Sequence, residues 1–192
     1  MSRTKVKQNL IDASFGNILE QIVYRADGRT ITTSQGNITV PNVTSITNVM
    51  SSTFVDIPGT NIAYQPPEGA TLVAYEANLQ ARVPASGSTP GQMAPSFFIN
   101  FDGIQVDPTR RGYLFQKTWD EEFSIFLTMQ ITGGSDSIAS EQIGSWTTPK
   151  TIQARACAHN SAYGYSINGS YHYAAAAANL VTPPLIKITA YS

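Results

Sequence analysis

Two histidines, one cysteine and one short acidic run are the residues of this sequence best suited to chemistry, and their spacing limits what they can do. His159 and His172 do not sit in the closely spaced sets that hold a metal ion. Cys157 is the single cysteine, so neither an internal disulfide nor a cysteine-based zinc site can form, and it is expected to be a small side chain on a strand. A hydrolytic triad needs a nucleophile on a sharp turn beside a base, and Gly144-Ser145-Trp146 lacks the G-x-S-x-G pattern of such a turn. The glycines fall at turns and build no phosphate-binding loop. Asp120-Glu121-Glu122 would suit a glycosidase carboxylate pair or a calcium ligand set. It reads instead as a solvated acidic turn ahead of a strand at Phe123, with Arg110-Arg111 near enough in the chain to pair with it. The expectation is a protein that is not an enzyme and uses neither cofactor nor metal.

One segment could recognise a ligand without reacting with it. Tyr163, Tyr165, Asn168, Tyr171, His172 and Tyr173 lie on a stretch loosened by Gly164 and Gly169. Tyrosine offers a large contact area at small entropic cost, so such a loop can stack on sugars or fill a protein interface. Two readings stand: the rings pack between subunits or over the end of a β-sandwich, or they form an exposed ligand site. Trp119 or Trp146 could assist the second, although burial is the ordinary fate of either.

Composition narrows the partners. The chain has 192 residues, a formal net charge of −1 and only 13% charged residues, against roughly 25% in ordinary soluble domains. No basic footprint for nucleic acid is present. No run reaches the ~20 apolar residues of a membrane span, so no membrane insertion is expected. The N-terminal run Met1–Asn9 is polar and basic, with no apolar segment after it, so synthesis in the cytoplasm without export is expected. A neutral, polar surface suits a protein much of whose exterior is covered by copies of itself or by a larger assembly.

The elements that must position these residues are strands. From Leu72 the sequence alternates, with Val73, Tyr75, Ala77, Leu79, Ala81 and Val83 on one face and Ala74, Glu76, Asn78, Gln80 and Arg82 on the other. That period of two is a half-buried strand. Pro66-Pro67-Glu68-Gly69 before it forces a turn, since proline lacks the amide donor and fixes φ. Further strands are predicted over 18–25, 29–33, 37–40, 52–57, 61–64, 97–101, 104–106, 123–131, 151–159 and 185–191. Asp102-Gly103 should supply the left-handed angles of a type I′ hairpin turn, and the alanine run 174–178 belongs to a long loop or a short packed turn. The pattern predicts an all-β antiparallel jelly roll or β-sandwich head over 49–192, with a short N-terminal β arm over 1–48. The arm has too few large apolar residues for a core of its own and should need a partner surface.

Several runs together resemble the jelly-roll head domains of phage virion proteins: Gly16 to Val23, Ser51-Ser-Thr-Phe-Val-Asp-Ile-Pro-Gly-Thr60, Ile62-Ala-Tyr-Gln-Pro-Pro-Glu-Gly69, the strand over 71–83, and Phe98-Ile-Asn-Phe-Asp-Gly-Ile-Gln-Val106. Such heads occur in tail fibres, knobs and capsid-attached appendages. The resemblance runs from about residue 16 to 192 and carries no catalytic signature. It implies a homotrimer on the exterior of a virion, joined to other virion proteins through residues 1–48. The absence of a repetitive shaft favours a capsid or neck decoration or a short knob over a long fibre. Its alternative implication is a receptor-binding knob that grips a host-surface glycan through the tyrosine-rich loop.

Overall fold

The structure is a computed structural model that describes residues 16–82, 92–116, 120–171 and 179–192. The N-terminal third contains β1 (Ile18–Arg25), the hairpin β2 (Thr30–Thr33) and β3 (Gly36–Thr39), then β4 (Thr47–Val49), β5 (Val55–Asp56) and β6 (Ile62–Tyr64). The long strand β7 (Leu72–Arg82) is followed by β8 (Gln92–Met93), β9 (Pro95–Phe101), β10 (Ile104–Gly112), β11 (Phe115–Gln116) and β12 (Asp120–Ile131). The last third supplies β13 (Gln142–Ile143), β14 (Lys150–Ala158), β15 (Tyr165–Ile167), β16 (Gly169–Tyr171), β17 (Asn179–Val181) and β18 (Leu185–Tyr191).

The larger sheet runs β1-β18-β7-β12-β13, with β15 extending it between β7 and β4. The smaller runs β10-β9-β14-β5, with β6 also on β14. The main strands cross repeatedly between the sheets: β1 in the larger, β5 and β6 in the smaller, β7 in the larger, β9 and β10 in the smaller, then β12, β14 and β18 alternating. The last strand lies inside the larger sheet between the first strand and β7. This is a jelly roll, in which two interlocked Greek keys place hydrogen-bonded neighbours far apart in sequence. All pairings of the main strands are antiparallel except the short parallel contact of β12 with β13.

The alternation in β7 appears as expected from Val73 to Ala81: Val73, Tyr75, Ala77, Leu79 and Ala81 are buried, and Ala74, Glu76, Asn78 and Gln80 are half-exposed; Arg82, expected on the wet face, is instead buried where β15 pairs with this end of β7. Val83 and the alanine run 174–178 lie outside the described residues. Phe97, Ile99 and Phe101 of the smaller sheet face Leu79, Phe123, Ile125 and Leu127 of the larger, filling the space between the two layers. Some polar groups in this core are paired, although among the described residues Tyr24 Oη and Asn168 Oδ1 find no hydrogen-bond partner. Tyr75 Oη donates to the Thr60 carbonyl at 2.9 Å, while Thr60 Oγ1 donates to the Ile57 carbonyl at 2.8 Å and accepts from the Ala154 amide at 3.1 Å. Such pairing offsets the desolvation of groups that are fully buried.

The β9–β10 hairpin turns at Asp102-Gly103 with φ of 52° and 85°. Both positive angles are those of the predicted type I′ turn. Lys150 Nζ lies 2.8 Å from Asp102 Oδ2 and holds that carboxyl below the usual carboxylate range. Farther along, four residues of β10 bulge out between the pairs Val106↔Ile99 and Arg111↔Phe97. Buried Thr109 bridges the gap: its Oγ1 accepts from the Ile99 amide at 2.8 Å and donates to the Val106 carbonyl at 2.6 Å. Thr109→Val keeps the shape and removes both bonds. It is expected to cost about 1–3 kcal/mol, the desolvation cost of a stranded amide, and denaturant titration of the variant would measure it.

The expected boundary at residue 48 does not fall at a break in the fold. The hairpin β2–β3 forms a separate two-stranded sheet, a short β arm. β1, however, is the edge strand of the larger sheet, paired with β18 from Ile18↔Tyr191 to Arg25↔Leu185. Tyr24, Ala26, Val40 and Val43 are buried with the rest of the core. Part of this apolar-poor N-terminal segment thus packs on the jelly roll of its own chain, with β1 beside β18. Residues 1–15 lie outside the described residues.

Candidate interaction surface

The acidic run is not a turn. Asp120, Glu121 and Glu122 open β12, opposite Arg82, Ala81 and Gln80 of β7. Successive residues of a strand point to opposite faces, so Glu121 and Glu122 diverge. Among the described residues neither Arg110 nor Arg111 forms an ion pair with Glu121 or Glu122. The Arg110 guanidinium lies 5.8 Å from the Phe54 ring centre, and Arg111 Nη1 donates to the Pro108 carbonyl at 2.6 Å. Among the described residues no three of histidine, cysteine, aspartate and glutamate gather as a metal-ligand set would. Cys157 is buried on β14, and that burial pushes its thiol pKa up, away from the reactive thiolate.

The six residues of the tyrosine-rich segment do not share one exposed surface. Tyr165 is fully buried on β15, where its hydroxyl donates to the Cys157 carbonyl at 3.0 Å and its ring lies 6.1 Å from that of Phe97. Asn168 is also fully buried, in the left-handed region at φ 62°, with Nδ2 donating to the Pro58 carbonyl at 2.9 Å. Both are corrections to the loop reading: β15 pairs with β4 and β7, so this stretch is sheet and its side chains belong to the core. Tyr163 is half-buried in a short 3-10 turn, its ring 5.8 Å from that of His159. The backbone of Tyr171 closes β16, and His172 and Tyr173 lie outside the described residues. Trp119 is outside them as well. Trp146 is core, donating from Nε1 to the Tyr64 carbonyl at 2.9 Å and meeting Phe101 edge-on at 4.7 Å.

The surface with most to offer a partner is the outer face of the larger sheet. Strand register places its side chains in rows that cross β1, β18, β7 and β12 in that order. One row is Val23, Lys187, Glu76 and Phe126; the row beside it is Arg25, Leu185, Asn78 and Ser124. On the other side comes Gln21, Thr189, Ala74 and Thr128. Val23 and Phe126 are 55% and 56% exposed, so both ends of the first row present large apolar side chains to solvent. Ile18, 58% exposed, adds to this face near the end of β1.

Beside that row lies an open groove of about 460 Å³, lined among others by Arg25, Asn78, Gln80, Glu122, Ser124 and Leu185. It sits where β18 stops pairing with β7 after Asn78 and β15 has yet to begin at Ala81. Local hydrogen bonds fix its polar floor: Ser124 Oγ donates to Asn78 Oδ1, and Asn78 Nδ2 donates to Glu76 Oε1 at 3.3 Å. Arg25 Nη1 reaches the Pro183 carbonyl at 3.2 Å. A second groove, about 430 Å³, lies between the Pro66–Gly69 turn and the segment Gly144–Thr147, and is lined by polar side chains such as Gln35 and Gln65, by the apolar Pro66, Pro67, Ile131 and Trp146, and by one carboxylate, Glu68.

In the sequence Phe123, Ile125, Leu127 and Met129 alternate with Ser124, Phe126, Thr128 and Gln130, which puts Phe126 on the outward phase of β12 and is the signal for this surface. An aromatic ring in the polar register of a half-buried strand has no core to enter. Val23 gives a weaker version of the same signal, because its outward phase follows only once β1 is known to pair with β18.

No protein-family profile matches the sequence, and no curated protein matches it. Among solved structures, a chain from the structure of infectious bursal disease virus Gx strain is similar at 13% identity and a TM-score of 0.41, over 91% of this chain and 33% of the other. A chain from the Gt strain of the same virus is similar at 13% identity and a TM-score of 0.29, over 85% of this chain and 43% of the other. This chain thus spans less than half the length of either.

Proposed function

We propose that this chain is a non-enzymatic structural protein of a phage virion, an appendage or decoration on the particle exterior that works by contact with copies of itself and with other virion proteins. The observation that carries the reading is the outer face of the larger sheet: a sheet surface of balanced charge with Val23 and Phe126 exposed at its two edges. Exposed apolar side chains on an ordered sheet face mark a contact surface. The runs from Gly16 to Val106 that resemble virion head domains, and the jelly-roll strand order, point to the same role by analogy of fold.

On this reading three copies close around a threefold axis, as the family resemblance implies. Attachment falls to residues 1–48, which include the basic run Met1–Asn9 and the hairpin β2–β3, a two-stranded sheet apart from the larger one. Deleting residues 1–15 removes none of the described strands, the first of which begins at Ile18. The truncated protein is expected to keep its melting temperature but to be missing from particles purified after infection in its presence. Normal incorporation of the truncated protein would move the attachment site elsewhere on the domain.

A further inference from the structure

From the order of side chains across the larger sheet we infer that its outer face is a two-fold contact between copies of this chain, with the Val23–Lys187–Glu76–Phe126 row meeting itself in reverse. Across β1, β18, β7 and β12 that row reads apolar, positive, negative, apolar. A two-fold axis parallel to the strands, passing between β18 and β7, reverses the row on the second copy. Lys187 then faces Glu76 of the other copy, and Val23 faces its Phe126. Sheets packed face to face about 10 Å apart, with strands roughly aligned, have this geometry.

The adjoining row obeys the same operation. Arg25 comes to lie over Ser124 of the second copy, with Glu122 two residues away on the same face of β12. The groove that Arg25 and Glu122 line in one chain then becomes the place where they meet between chains. Each contact occurs twice, as an isologous interface requires. The charges are available for it: among the described residues Lys187, Glu76, Arg25 and Glu122 form no ion pair within the chain. Two copies joined this way cover Val23 and Phe126, which a lone domain leaves in water. The contact is independent of the virion reading and of any threefold closure.

Charge reversal tests it in a way that loss of folding cannot imitate. Glu76→Lys makes both central positions positive, and Lys187→Glu makes both negative, so each variant opposes like charges across its own two-fold axis. Each is expected to self-associate roughly tenfold or more weakly than the parent chain, since facing like charges cost at least the ~1.4 kcal/mol of one decade. Mixing the two variants sets positive against negative and restores association as a heterodimer. In a Cys157→Ala background, Val23→Cys mixed with Phe126→Cys should form a covalent dimer with a short bis-maleimide that reaches across about 10 Å. Val23→Cys alone should not, because its own copy lies about three strand spacings, roughly 14 Å, to the side. Sedimentation that shows a mixture no more associated than either charge variant, or cross-linking by Val23→Cys alone, would overturn the two-fold contact. An assembly of two copies or of six is equally consistent with it, and the choice between them reports only on the threefold axis.

Discussion

Phe97→Ala is expected to destabilise the domain by about 3–5 kcal/mol, the range for removing a fully buried phenylalanine, and so to lower the melting temperature by about 6–20 °C at this chain length. The size follows from where the ring sits. Phe97 projects from β9 of the smaller sheet and is 0% exposed. Its ring centre lies 4.4 Å from that of Phe123 on β12 and 6.1 Å from those of Tyr165 on β15 and Tyr113 after β10. It therefore joins both layers, and its loss opens a cavity that neither sheet can close without moving its backbone. The Tyr165 hydroxyl is tied to the Cys157 carbonyl, which further restricts collapse of that wall. Phe97→Leu, which keeps most of the volume, should lose well under half as much. Thermal melts of the two variants give the comparison, and equal losses would mean that volume at this point does not hold the sheets together.

Gly59→Ala is the second large effect, expected at about 2–4 kcal/mol from two additive causes. Gly59 has φ 90°, a region that L-residues rarely adopt. A methyl group there would also lie 2.6 Å from Val43 Cγ2, 2.7 Å from Pro184 Cγ and 2.9 Å from Ala26 Cβ. Those neighbours come from the segments after β1 and β3 and from the entry to β18, so the turn between β5 and β6 is a packed junction. Gly103 separates the two causes, because its φ is 85° but nothing lies within 4 Å of where its Cβ would be. Gly103→Ala should show only the backbone cost, about 1 kcal/mol. Urea midpoints for the two variants measure the difference, and a Gly59 variant no worse than the Gly103 variant would mean that this junction yields to a methyl group.

The strands of this fold were legible wherever alternation ran long enough to show a period of two. β7 and β12 follow from Val73 to Leu79 and from Phe123 to Met129, and the β9–β10 turn follows from Asp102-Gly103 alone. Local pattern does not reveal which strands are neighbours. β1 reads as part of an arm because its partner, β18, lies at the other end of the chain, and a ladder between such distant segments leaves no mark in either. The tyrosine-rich segment misleads for a related reason. Tyrosine and asparagine look like surface in sequence, but Tyr165 and Asn168 each find a backbone carbonyl, at Cys157 and Pro58, that makes burial affordable. The outer-face row lay hidden although Glu76 and Phe126 each had a readable phase. Only cross-strand register turns Val23, Lys187, Glu76 and Phe126 into one self-complementary line.

The most direct test of the structural role is electron microscopy of intact particles, with density assigned by fitting the two-sheet domain and the protein identified by mass spectrometry of the same preparation. The account predicts the domain at symmetry-related positions on the particle exterior, with a large part of the outer β1-β18-β7-β12 face covered by neighbouring density. Particles of otherwise full composition and infectivity that lack this chain altogether would contradict it.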